Sequence, residues 1–174
     1  MKAIRCKSYG LPDTLVLEDV SSPQPGPNEI LINVKACGVN FPDTLIIQGK
    51  YQFKPELPFT PGSDVAGAIT AVGENVTHFN PGDSVFGVVT FGGFAEEVLL
   101  SKNSCFPIPK GISFEHAASF MLAYGTSYHA LKDRAKLQKD ETLLVLGAAG
   151  GVGLTAIELG KLIRLKGRGI LTNN

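Results

Sequence analysis

Leu143-Leu144-Val145-Leu146-Gly147-Ala148-Ala149-Gly150-Gly151-Val152-Gly153 is the stretch on which the fold turns. Its first four residues form a short unbroken apolar run, the pattern of a parallel strand covered on both faces. Glycines follow at once, and beyond them Val152, Ala156, Leu159 and Ile163 recur at helical spacing. Strand, glycine turn and helix together read as the first unit of a dinucleotide-binding fold. The chemistry accounts for the residue types, because a diphosphate rests on amide groups and the positive end of a helix only where no side chain blocks the approach. Aligning Gly150 and Gly153 on the later glycines of G-x-G-x-x-G puts Ala148 at the first, so the strict pattern is not met. Tight packing of helix on strand is the competing explanation for the glycines.

That fingerprint also expects, about 20 positions on, an acidic residue for a ribose or a basic one for the extra phosphate of NADP. Lys166 and Arg168 lie near the distance, although basic residues at a helix C-terminus also serve simply to offset the helix dipole.

Upstream, from Met1 to about Pro109, Gly, Pro, Asn and Asp cut the chain into short extended segments, the texture of a β-barrel or sandwich. Glu29 to Val39 carries the period-two pattern, with Ile30, Ile32, Val34 and Ala36 on one face and Asn33 and Lys35 on the other. Further strands are expected at Asp64 to Val72, Asp83 to Val89 and Phe94 to Leu100. Ser113 then serves as an N-cap, and Phe114 to Ala123 and Thr126 to Leu137 read as helices.

The 174 residues suit one domain plus part of another, and sixteen basic residues balance sixteen acidic ones. Nothing in that balance suggests a polyanion, so no nucleic-acid partner is expected. A short apolar start and no run near the ~20 apolar residues of a membrane helix predict a cytoplasmic protein without a membrane partner. Cys6, Cys37 and Cys105 are scattered, without C-x-x-C spacing, and read as buried small side chains. His78, His116 and His129 share no metal-ligand spacing, and there is no G-x-S-x-G elbow for hydrolysis.

Several motifs, in order, resemble the medium-chain dehydrogenase/reductase superfamily, and within it the zinc-free quinone oxidoreductases. They are Ala36-Cys37-Gly38-Val39-Asn40-Phe41-Pro42-Asp43, Pro58-Phe59-Thr60-Pro61-Gly62-Ser63-Asp64-Val65-Ala66-Gly67, Gly73 to Val76 with Phe79, Gly82-Asp83 and Val85, Tyr124-Gly125-Thr126-Ser127-Tyr128, and the glycine loop. The resemblance runs from Met1 to Lys161 and implies a mainly β plus α/β chain. A GroES-like β-barrel over residues 1–124 would bind the substrate. Residues 125–174 would supply a connecting helix and the first β-α unit of an incomplete Rossmann fold for the cofactor.

It further implies the branch. Zinc-dependent relatives carry a Cys where this chain has Asn40 and a His where it has Ser63. An amide and a hydroxyl are poor replacements for thiolate and imidazole, and the lobe that holds a structural zinc is missing between Val89 and Phe94, so no metal is expected. Without a Lewis acid, the implied reaction is NADPH-dependent reduction of a quinone or an α,β-unsaturated carbonyl. By similarity Asn40 lines the hydride-transfer site, Asp43 helps organise it and Tyr51 offers a hydroxyl or ring to the substrate. Thr126 contacts the nicotinamide end, and Ala148, Ala149, Gly150, Gly151, Val152 and Gly153 hold the diphosphate. Plainer roles compete: Asn40 as a turn residue, Asp43 as a helix cap, Tyr51 as barrel packing.

After Lys161 the tail, Leu162 to Asn174, leaves the resemblance and reads as a shifted reading frame or a truncated gene. Leaving Leu143 to Leu146 wet would forfeit ~6–12 kcal/mol, against ~5–15 kcal/mol for a typical domain. Either the tail folds back, or two chains bury this surface together, or this end is disordered. Self-association into a homo-oligomer is expected, with NADPH binding weak or absent because the adenosine pocket is incomplete. The alternative is a non-catalytic GroES-like module or inactive remnant; a zinc alcohol dehydrogenase is a third reading.

Overall fold

The computed structural model describes residues 1–163, so Lys166, Arg168 and the tail after Ile163 lie outside the described residues. The chain divides into two compact units, Met1–Ser119 and a second beginning at Phe120.

In the first unit, β1 (Lys2–Cys6) and β2 (Leu15–Asp19) form an antiparallel pair. A five-stranded sheet follows, in spatial order β6-β3-β4-β5-β7, from β3 (Glu29–Gly38), β4 (Asp64–Val72), β5 (Ser84–Val88), β6 (Glu97–Ser101) and β7 (Cys105–Pro107). Bridges Ala3↔Ala95 and Cys6↔Phe59 tie β1 to segments flanking that sheet. Its core is Ile30, Ile32, Val65, Ile69, Val85, Val98 and Leu100. These are mostly β-branched residues, which fill a pleated surface well.

β3 departs from the alternation its sequence suggests. Its pairing with β4 leaves one extra residue in β4, Thr70, opposite Leu31/Ile32, and one in β3, Lys35, between Val34 and Ala36. Leu31 is buried beside Ile30 and Ile32, while Val34 and Ala36 are only half-buried.

The helices also fall differently from the expected Phe114 to Ala123 and Thr126 to Leu137. Ser113 caps the helix that starts at Phe114, as expected, its Oγ accepting from the His116 N–H at 3.3 Å. The elements are α1 (Phe41–Ile46), α2 (Phe114–Ala118), α3 (Met121–Tyr128) and α4 (Gly151–Leu162). The break comes at Ser119, whose Oγ donates to the His116 carbonyl at 3.0 Å and ends α2 there. Gly125, by contrast, sits inside α3, which widens into a π-helical turn over His129–Arg134.

The expected strand at Leu143 to Leu146 is not formed among the described residues. A strand is defined by its ladder, and no described strand lies beside it. The segment keeps the period-two character: Leu143 and Val145 are half-buried, while Leu144 is 58% and Leu146 72% exposed.

Candidate functional site

The expected site residues fall in both units, Asn40, Asp43 and Tyr51 in the first and Thr126 and the glycine loop in the second. In the first, Asn40 stands at the N-cap of α1 in extended conformation, with Pro42 in the first turn fixing the backbone angle a helix start needs. Asp43, three residues on, reaches back so that its carboxylate accepts the Asn40 N–H at 2.7 Å. It also accepts a backbone N–H from Gly62, so one buried carboxylate ties the start of α1 to the Pro61–Ser63 loop. Burial pushes the Asp43 carboxyl above its ordinary value, and the two backbone N–H bonds only partly offset this.

A raised folded-state value means that the native chain holds a proton more tightly than the unfolded one. Asp43's favourable contribution is then complete below the unfolded carboxylate range and is lost as pH rises through the raised value. The Tm difference between wild type and Asp43→Asn, measured by calorimetry, is expected to grow in favour of wild type as pH falls from 7 into the carboxylate range. A pH-independent difference would show that Asp43 titrates normally.

The Asn40 side-chain nitrogen, Nδ2, is buried and has no hydrogen-bond partner among the described residues. Its neighbours in sequence, Val39 and Phe41, are 77% and 74% exposed. A buried donor without an acceptor costs about 1–3 kcal/mol, so this one calls for an explanation beyond packing. Cys37 lies in the same region, its thiol pushed up to about 12 by burial, with the Asp43 and Asp64 charges adding to the effect. Held so far from the thiolate form, it is no nucleophile. Tyr51 packs instead against Cys6, Ile46, Ile47 and Phe59, beside the far end of α1.

In the second unit, Gly147 has a φ of +71°, which supplies the tight turn that the missing first glycine of the motif would have made. Sequence alignment set Ala148 at that place; its methyl is buried, and Gly147 takes the conformational role. The Gly150 N–H closes the turn on the Gly147 carbonyl at 3.1 Å, and the Leu154 N–H starts the helical ladder on Gly150 at 2.8 Å. The N–H groups of Gly151, Val152 and Gly153 therefore have no partner within α4. A Cβ on Gly153 would lie 2.3 Å from the Gly147 carbonyl oxygen, whereas one on Gly151 would meet nothing within 4 Å. One glycine is required by packing, the other leaves open the space in front of the helix. Thr126 is exposed on α3, as is Ala149 in the loop.

Two residues beside these were not singled out from sequence. Ser127 and Thr155 are buried, and Ser127 Oγ donates to the Val152 carbonyl at 2.7 Å while lying 2.8 Å from Thr155 Oγ1. Thr155 Oγ1 also reaches the Val152 carbonyl at 3.0 Å and that of Ala123 at 3.2 Å. Their signal was a hydroxyl facing inward from each helix, which short-range spacing does not reveal.

Residues 26–110 match the alcohol dehydrogenase GroES-like domain family. The chain is 43% identical over 168 residues to a human quinone oxidoreductase, covering 95% of this chain and 51% of that protein. It is 45% identical over 163 residues to the quinone oxidoreductase of Lama guanicoe, covering 92% and 49%. Among solved structures it is similar to the Escherichia coli quinone oxidoreductase complexed with NADPH, with a TM-score of 0.93 at 33% identity, covering 99% of this chain and 53% of that one. The chain spans about half the length of the curated relatives it matches.

Proposed function

The chain belongs to the quinone oxidoreductase branch of the medium-chain dehydrogenase/reductase superfamily, a GroES-like domain followed by a partial Rossmann unit, and from that membership we propose that it is built for NADPH-dependent, metal-independent reduction of a quinone or an α,β-unsaturated carbonyl. In this reading residues 1–124 hold the substrate and residues 125–174 begin the cofactor domain. The observation that carries it is the buried Asn40 Nδ2, which has no acceptor among the described residues.

When a carbonyl of the acceptor is reduced, negative charge gathers on its oxygen, and a fixed donor shielded from water stabilises that charge most effectively. Asn40 is that donor, and Asp43 holds its backbone in place through the 2.7 Å bond. The proton comes from solvent. A zinc ion would need thiolate and imidazole ligands, and Asn40 and Ser63 supply neither.

The glycine loop fits the cofactor: Gly151 leaves clear space before α4, and the amides of Gly151, Val152 and Gly153 would receive the diphosphate, with Thr126 toward the nicotinamide. NADPH, when bound, supplies the hydride. Tyr51 would shape the acceptor side from its place on Ile46 and Ile47.

The test is titration of the purified chain with NADPH, followed by nicotinamide fluorescence, and then addition of 1,4-benzoquinone or 3-buten-2-one while absorbance at 340 nm is read. Weak but saturable binding in the millimolar range and acceptor-dependent oxidation, unaffected by a chelator, are expected. No binding at millimolar cofactor would leave the non-catalytic module as the better account, and stoichiometric zinc after dialysis would overturn metal independence.

A further inference from the structure

We infer that the Ser127–Thr155 hydroxyl pair is a positioning clasp that presets the first turn of α4 for a diphosphate, an inference that rests on the reading of the glycine loop given above. The first turn has little else to hold it. Gly150 and Gly151 have no side chains, and the Val152 side chain, between two glycines, is largely exposed. Glycine gives up more conformational freedom on ordering than any other residue, so a turn made from it tends to fray unless its backbone is tethered.

The tether is on the backbone of Val152. Ser127 Oγ, from α3, donates to the Val152 carbonyl at 2.7 Å, and Thr155 Oγ1 lies 2.8 Å from Ser127 Oγ. Thr155 Oγ1 also lies 3.0 Å from the Val152 carbonyl and 3.2 Å from that of Ala123, and whichever acceptor takes its single proton, Ser127 donates to Val152. Ser127 is 1% and Thr155 5% exposed, so water does not compete for these bonds. The tethered residue is the middle one of the three whose N–H groups face out of the helix start. Pinning its carbonyl fixes the peptide planes that aim those donors, and donors aimed in advance bind an anion without an ordering cost.

The test uses the full chain with Thr155→Val, which keeps the shape and removes the hydroxyl, Ser127→Ala, and Thr155→Ser, which restores the hydroxyl. Two readouts are taken well below each variant's Tm: amide hydrogen exchange without ligand of Leu154 to Ala156, whose N–H groups close the first turn of α4, and the NADPH Kd from nicotinamide fluorescence. Thr155→Val and Ser127→Ala are each expected to speed exchange and raise the Kd by about tenfold, the size of one buried hydrogen bond, with Thr155→Ser close to wild type in both.

Unchanged exchange in both Thr155→Val and Ser127→Ala would overturn the clasp. So would faster exchange with an unchanged NADPH Kd, since the pair would then merely brace the helices. Should Thr155→Val fail to fold, the Ser127→Ala and Thr155→Ser pair decides by the same readouts. Failure of the wild-type chain to bind NADPH would overturn the diphosphate reading and the clasp's purpose with it, an outcome distinct from wild-type binding that the variants leave untouched.

Discussion

Asn40→Ala is expected to lower kcat for quinone reduction by about 10²–10³-fold, the cost of removing one preorganised donor from a developing oxyanion. The size follows from the environment: Nδ2 is buried and pairs with nothing among the described residues, so its whole donor capacity is left for a ligand. The Kd for NADPH is expected to stay within about twofold, because the glycine loop belongs to the other unit. Stability moves little in comparison. An Asn-to-Ala change at an N-cap costs about 1 kcal/mol, while removing an unsatisfied buried donor returns about 1–3 kcal/mol. A variant that melts no lower than wild type yet has lost most of its turnover would identify Asn40 as a group kept for chemistry at the expense of stability. Wild-type kcat in Asn40→Ala would remove the oxyanion role.

Gly153→Ala and Gly151→Ala are expected to change stability in opposite directions. At Gly153 the added methyl would lie 2.3 Å from the Gly147 oxygen and 2.8 Å from the Ala148 Cα. Both are backbone atoms that cannot rotate away, so the loop must move, and overpacking of this kind costs about 1–3 kcal/mol. At Gly151 the methyl would meet nothing within 4 Å. There the better helix propensity of alanine, up to about 1 kcal/mol, makes the variant neutral or more stable. Both substitutions are expected to raise the NADPH Kd by more than tenfold, Gly153→Ala by distorting the loop and Gly151→Ala by filling the approach to it. Calorimetry and fluorescence titration on the two variants check the pair of signs. Tight NADPH binding by Gly151→Ala would mean that the open space before α4 is not where the diphosphate sits.

Several residues of the candidate site stand out along the chain. The motif from Ala36 to Asp43 marked Asn40 and Asp43, and the structure joins them by a direct hydrogen bond. Gly150 to Gly153 were legible as the start of a helix, and α4 begins at Gly151. What escaped were partners distant in sequence. The bond from the Gly62 N–H to Asp43 spans a long loop, and nothing near either residue announces it. Ser127 stands inside the Tyr124 to Tyr128 motif and Thr155 in none, and their meeting depends on how α3 and α4 pack. Tyr51, marked for its phenol, is half-buried against the cluster of Cys6, Ile46, Ile47 and Phe59.

The sequence alone determined what short-range pattern can determine. β4 is found at the expected Asp64 to Val72 because turn residues bound it and apolar residues fill it, which are properties of the segment itself. That an amide stands at position 40 and a hydroxyl at position 63, neither of them a thiolate or an imidazole, is likewise legible residue by residue. Only the tertiary structure decided that Leu31 is buried beside Ile32, that Leu143 to Leu146 has no ladder among the described residues, and that Asn40 Nδ2 has no acceptor among them. The physical reason is common to all three: a covering surface, a ladder and a satisfied hydrogen bond each need a second group supplied from elsewhere in the chain, and pattern along one segment carries no information about where that group will be.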